Sequence, residues 1–93
     1  MKELSVVIPV MDEEDNIELM IEGITNALKD TDHEIIFVDD GSKDRTLDLL
    51  KKHASESLIT VEFAKNYGQS SAMQAGIDMA SGKYITTLDG DLQ

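Results

Sequence analysis

Asp89-Gly90-Asp91 places two carboxylates two positions apart, and Gln93 adds an amide oxygen two positions further on. In an extended segment residues i and i+2 face the same way, so Asp89 and Asp91 can address one point in space. Carboxylates held that close repel one another unless a cation lies beside them. Mg²⁺ or Mn²⁺ suits such all-oxygen donors, taking one or two carboxylates and leaving its other positions to water and phosphate oxygens. In isolation, Asp-Gly is equally well explained as turn chemistry at the end of a strand.

Three further polar clusters give the pair company. Asp39-Asp40-Gly41-Ser42 reads as a tight turn, with Gly41 at positive φ and Ser42 capping the next helix. A carboxylate presented by that turn can also accept a hydrogen bond from a base N–H or a ribose hydroxyl. Two adjacent aspartates where one would serve as a cap favour a ligand for at least one of them. Lys65-Asn66-Tyr67-Gly68 precedes a helix whose first amides form a natural anion site, and Gly68 would let backbone and ligand approach closely. A plain loop is the simpler reading of that cluster taken alone. Asp12-Glu13-Glu14-Asp15 is a run of acids at a helix start, where solvated carboxylates are stabilised by the helix dipole, and Asp15 and Glu14 are read in that way. His33 and His53 read as surface residues, and most of the five methionines as core.

Four strands and three helices must position these clusters. A first strand over Leu4–Val10 is β-branched and apolar on both faces. A helix over about 16–29 repeats apolar residues at Ile17, Met20, Ile21, Ile24 and Leu28, with Asp15 and Glu18 as a capping box. A strand over 34–38 is followed by a helix beginning after Ser42 and burying Leu47, Leu50 and Ala54. A strand over 58–63, a helix over about 70–80 stopped by Gly82, and a strand over 84–88 complete the series. Strict alternation of strands apolar on both faces with helices predicts an open, Rossmann-like α/β parallel sheet. Ligands bind such sheets beyond the carboxyl ends of the strands, which is where all four polar clusters fall.

Nineteen acidic and eight basic residues give a net charge of −11. So acidic a surface argues against nucleic acid as a partner, because nucleic acid is bound chiefly through Lys and Arg. It also means that any phosphate this chain handles needs a cation. There is no cysteine for disulfides or thiolate metal sites. No apolar run is long enough to span a bilayer, and Met1-Lys2-Glu3 leads straight into a strand pattern rather than a signal peptide. The expected location is the cytoplasm, or the cytoplasmic face of a membrane for a longer protein.

Several segments together resemble family 2 glycosyltransferases, closest to the polyprenyl-phosphate (dolichol-phosphate mannosyltransferase-like) sugar transferases. They are the run from Pro9 to Ile17, Val38 to Ser42 with Asp44 and Thr46, Lys65 to Gln69, Ala75-Gly76-Ile77, and Asp89 to Gln93. The resemblance implies the N-terminal half of a GT-A fold and inverting transfer of a sugar from a UDP- or GDP-sugar donor. The acceptor would be a lipid phosphate or a saccharide. In that family the residues matching Pro9, Met11 and Glu13 surround the base, and the match of Asp40 accepts a hydrogen bond from it. The matches of Asp89 and Asp91 hold the ribose and the metal-diphosphate, the catalytic centre, and Gln93 is a further Mg²⁺ or Mn²⁺ ligand. Where the family usually has Tyr-Asn this chain has Met11-Asp12, so a thioether replaces the aromatic wall beside the base.

Such enzymes continue past the Asp-x-Asp motif, so residues 1–93 are expected to be the donor-binding part of a truncated domain, inactive in transfer by itself. Two alternatives use the same residues. One is a non-catalytic nucleotide-binding module; the other is a Mg²⁺-dependent phosphatase or phosphotransferase built on Asp89 and Asp91. The phosphatase fold would need its nucleophilic Asp on the first strand, whereas here the motif follows the last. A strand over 84–88 at the sheet edge, free of internal charge, is further expected to pair with a second copy as a homodimer.

Overall fold

The structure is a computed structural model and describes residues 2–88. Seven elements alternate: β1 (Leu4–Val10), α1 (Ile17–Ala27), β2 (His33–Asp39), α2 (Thr46–Lys52), β3 (Leu58–Glu62), α3 (Gln69–Met79) and β4 (Tyr84–Thr87). All strand pairings are parallel, in the order β3-β2-β1-β4. The central strands β1 and β2 are buried from Ser5 to Val10 and from Glu34 to Asp39. Their unbroken apolar runs follow from having helices on both faces. On one face Val6, Ile8 and Phe37 pack with Ile17 and Met20 of α1 and Leu50 of α2. On the other, Val7, Ile36 and Val38 pack against Ala72 of α3. Gly76 allows that second contact, since a Cβ there would lie 2.3 Å from Val7 Cγ1.

Helix boundaries depart from the sequence expectation for a common reason: long-range partners displace local caps. Asn16, not Asp15, is the N-cap of α1 and makes no side-chain cap bond. The expected capping box is absent because Glu18 reaches across to α2, accepting from His53 Nε2 at 2.8 Å with Lys52 at 3.9 Å. Helix α2 starts at Thr46 rather than just after Ser42, because the amides of residues 43–45 are bonded to side chains of the β1–α1 loop. Ala54 lies beyond the helix and is exposed. Helix α3 stops at the extended Ala80 rather than at Gly82, whose amide donates to Ser5 Oγ. Among the methionines, Met20 is buried, but Met11 and Met79 are exposed. His33 is half-buried at the start of β2.

Glu34 escaped the sequence reading. It is 3% exposed at the start of β2. Its Oε2 accepts from Ser5 Oγ (2.6 Å), Ser81 N (2.7 Å) and Ser81 Oγ (2.9 Å). Burial pushes this carboxyl up, but the Ser5 and Ser81 donors, with Lys2 nearby, outweigh it and leave it below its ordinary value. Glu34 thereby fastens the α3–β4 connection to β1 and β2. Strand β4 itself pairs only with β1 among the described residues, and all four of its residues are exposed.

Candidate functional site

The parallel order delivers the ends of β1, β2 and β3 to one edge of the sheet. Strand β4 runs alongside in the same direction, with Leu88 N donating to Val7 O, so its carboxyl end lies on the side of that edge. Asp89, Asp91 and Gln93 lie outside the described residues. Among the described residues no cluster of three or more His, Cys, Asp or Glu could hold a metal ion.

Pro9 is buried within β1, opposite Val38. Immediately beyond the strand, Met11 is 42% exposed and its Sδ accepts from Asn66 Nδ2 at 2.7 Å. Met11 is thus held by the loop facing it. Glu13 is half-buried; its Oε2 accepts from Asn16 Nδ2 at 2.9 Å and its amide donates to Thr46 Oγ1 at 2.8 Å.

Successive side chains of a strand point to opposite faces, so Asp39 and Asp40 part company at the end of β2. Asp40, 5% exposed, turns toward the β3–α3 loop and accepts from the amides of Tyr67 (2.8 Å) and Gly68 (3.1 Å). The anion held by the backbone ahead of α3 is therefore the chain's own carboxylate. Gly68 has φ +100, a conformation an L side chain rarely adopts, and its amide also donates to Asn66 Oδ1. Lys65 is exposed, its Nζ 5.3 Å from the centre of the Tyr67 ring. Gly41 has φ +76, and a Cβ there would lie 2.5 Å from the carbonyl carbon of Lys65. Glycine is thus needed twice at one place, for the turn and for the approach of two loops.

Asp39 is 1% exposed, and its Oδ1 has no hydrogen-bond partner. Burial raises its carboxyl above the ordinary value, with Glu62 and Asp44 adding repulsion; hydrogen bonds from Ser42 offset only part of this. Asp39 thus carries a nearly buried carboxylate oxygen without an internal donor at the carboxyl end of β2.

The structure therefore brings together Met11 with Asn66, Asp40 with Tyr67 and Gly68, and Glu13 with Thr46. Sequence reasoning had assigned no site role to Ser42, Asp44 and Thr46 beyond a cap and a resemblance. Their alternating spacing of short oxygen-bearing side chains was the available signal, since such residues bond nearby amides in loops.

Comparison with known proteins places this geometry. The Glycosyl transferase family 2 profile matches residues 5–93. Dodecaprenyl-phosphate galacturonate synthase of Rhizobium johnstonii is 45% identical, the match covering 98% of this chain and 28% of that protein. Undecaprenyl-phosphate 4-deoxy-4-formamido-L-arabinose transferase of Yersinia enterocolitica is 44% identical over 99% of this chain and 30% of its own length. The chain thus spans less than a third of these relatives. The crystal structure of glucosyl-3-phosphoglycerate synthase from Mycobacterium tuberculosis, in complex with Mn²⁺, UDP and glucosyl-3-phosphoglycerate, superposes with a TM-score of 0.77 at 27% identity. That match covers 99% of this chain and 34% of the other. The fold is that of the GT-A glycosyltransferases, and the chain belongs to glycosyl transferase family 2.

Proposed function

We propose that this chain is the donor-binding part of an inverting glycosyltransferase. Its donor is a UDP- or GDP-sugar, and its acceptor a polyprenyl phosphate or a saccharide. The observation that carries the reading is the buried, unanswered carboxylate oxygen of Asp39 at the edge where β1, β2 and β3 deliver Met11, Glu13, Asp40, Asn66 and Gly68. The names of the two relatives support the polyprenyl phosphate, and the UDP and Mn²⁺ of the superposed structure support the donor and the cation. Membership of that group also supports a site of action at the cytoplasmic face of a membrane. Among the described residues no helix is long and apolar enough to cross one.

In this reading Pro9, Met11 and Glu13 surround the base, and Asp39 and Asp40 supply the acceptors for its N–H and for the ribose. Asp40 has acceptor positions left after its two amide bonds, because an ionised carboxylate offers about four. Lys65, Asn66 and Gly68 close the opposite wall, and Asp89 adds a ribose contact. Asp91 and Gln93, with Asp89 nearby, are an oxygen donor set that fits Mg²⁺ or Mn²⁺ and would hold it. When bound, the cation supplies charge neutralisation for the departing diphosphate. A phosphate acceptor is already anionic, which lessens the need for a strong general base.

Titration calorimetry with UDP and GDP, with and without Mn²⁺, tests the reading. Binding is expected to strengthen with Mn²⁺ and to collapse in Asp91→Asn. Equal affinity with and without metal would remove Asp91 from the ligand set, and no binding of either nucleotide would sink the donor site.

A further inference from the structure

Two loops of the site answer each other's backbone. In the β1–α1 loop the amides of Asp12, Glu13 and Glu14 donate to Ser42 Oγ (2.9 Å), Thr46 Oγ1 (2.8 Å) and Asp44 Oδ2 (3.2 Å). In return the amides of Lys43 and Asp44 donate to Asp12 Oδ1 (2.7 and 3.3 Å), and that of Arg45 to Glu14 Oε2 (3.2 Å). Three consecutive amides on each side thus find their acceptors on the other. Thr46, fully buried, is the inner fastening: its Oγ1 accepts from Glu13 N and donates to Asp44 Oδ1 at 2.5 Å. Asp12 is the outer one, and the only non-glycine residue with positive φ (+53) among the described residues.

These bonds exceed what a helix start requires. Asp44 already serves the first amide of α2 by accepting from Thr46 N at 2.8 Å, and the amides of Asn16 and Ile17 at the start of α1 are served by Glu13 O. The additional bonds fix one thing, the path of residues 11–14, which carries Met11 and Glu13. The acids at 12 and 14 are not idle solvated charges at a helix N-terminus. Asp12 also stands where the family resemblance leads one to expect Asn. Both side chains tolerate the left-handed conformation and both offer Oδ1, so the fastening survives the exchange.

We propose that Thr46 and Asp12 are positioning residues of the nucleotide pocket. They hold Met11 and Glu13 in place before the ligand arrives and act through that backbone without touching the ligand. The proposal rests on the nucleotide-binding reading above. A loop ordered beforehand loses less freedom on binding, so unfastening it lowers affinity without removing any ligand contact.

Calorimetry with UDP and with GDP, in Mn²⁺, at a temperature where circular dichroism shows every variant folded, tests this. Thr46→Val keeps the shape and removes the hydroxyl; it is expected to weaken binding about tenfold, whereas Thr46→Ser stays within about twofold of wild type. Asp12→Ala is expected to weaken binding about as much, and Asp12→Asn to match wild type within about twofold. Leu49→Ala, which trims an apolar side chain packed against the core from α2, is the control for lost stability and should leave affinity unchanged. Hydrogen exchange at the Glu13 amide should quicken in Thr46→Val and not in Leu49→Ala. If Thr46→Val fails to fold, the exposed Asp12 pair carries the same test. Wild-type binding retained in Asp12→Ala and in any folded Thr46→Val overturns the proposal. Absence of binding by the wild type overturns the nucleotide reading and this proposal with it, while protected Glu13 exchange would still report the fastened loops.

Discussion

Glu34 and Asp39 stand at opposite ends of β2, each almost wholly buried, and meet opposite fates. Glu34 Oε2 collects three donors from Ser5 and Ser81, and its carboxyl is held below its ordinary value. Asp39 keeps an oxygen with no partner and is pushed above its ordinary value. Burying a carboxylate costs free energy that only donors recover. At the amino end of the strand the chain supplies those donors, and the group serves the fold. At the carboxyl end Ser42 answers only part of the carboxylate and Oδ1 is left over, where the proposed function puts a ligand. Under the proposed function, that departure from self-consistency is what a ligand-binding position would show.

The largest effect expected from this contrast is on stability. Glu34→Ala leaves the hydroxyls of Ser5 and Ser81 and the Ser81 amide without their acceptor, and should cost about 3 kcal/mol in chemical denaturation. Glu34→Gln, which keeps one acceptor oxygen, should cost less. A loss below about 0.5 kcal/mol in Glu34→Ala would put the residue among neutral surface changes and erase the distinction.

Asp39→Asn should behave in the opposite sense. Removing the charge relieves the burial penalty while leaving an oxygen for the Ser42 donors, so stability at neutral pH should hold or rise by up to about 1 kcal/mol. Nucleotide affinity should fall by about tenfold or more. Destabilisation equal to that of Glu34→Ala, with nucleotide binding intact, would make Asp39 a scaffold residue.

Acid titration of stability separates the two further. Glu34 has a folded pKa below its ordinary 4.5, so its contribution is present above that value and is lost as pH falls through the folded pKa. Asp39 has a folded pKa above its ordinary 3.8, so its contribution is present below that value and is lost as pH rises through the folded pKa. In denaturation midpoints followed between about pH 3 and 7, Glu34→Gln should flatten the acid flank and Asp39→Asn the decline on the neutral side. A profile unchanged by both substitutions would show that neither carboxyl titrates differently in the folded chain.

The smallest effect concerns strands rather than single groups. Strands β1 and β2 are covered on both faces, whereas β4 is exposed along its length, with Tyr84 and Ile85 uncovered. Pairing of β4 with a second copy should appear as weak, concentration-dependent association. The net charge of −11 opposes it, so added salt should strengthen it by screening. Sedimentation across a salt series measures this. A strict monomer at high protein and salt concentration, unaltered by Thr86→Pro, would dismiss the edge as an interface of this chain.

By itself the sequence determined the parallel sheet, the number and order of its elements, and the edge at which the polar clusters after β1, β2 and β3 gather. These rest on short-range periodicity: apolar runs at Leu4–Val10 and Ile35–Val38, helical spacing in α1, and turn residues such as Gly41. Only the tertiary structure decided what individual polar groups do. Asp39 and Asp40 are indistinguishable as letters, yet one keeps an oxygen without a donor while the other meets the amides of Tyr67 and Gly68, 27 and 28 positions away. Glu34 reads as an ordinary strand residue until the α3–β4 connection brings Ser81, 47 positions on, against it. Glu14 looks like a solvated charge until the β2–α2 loop arrives to give it the Arg45 amide. Periodicity is written in neighbouring residues, but a hydrogen-bond partner is chosen by whichever loop the packed sheet brings within 3 Å or so, and no local pattern encodes that choice.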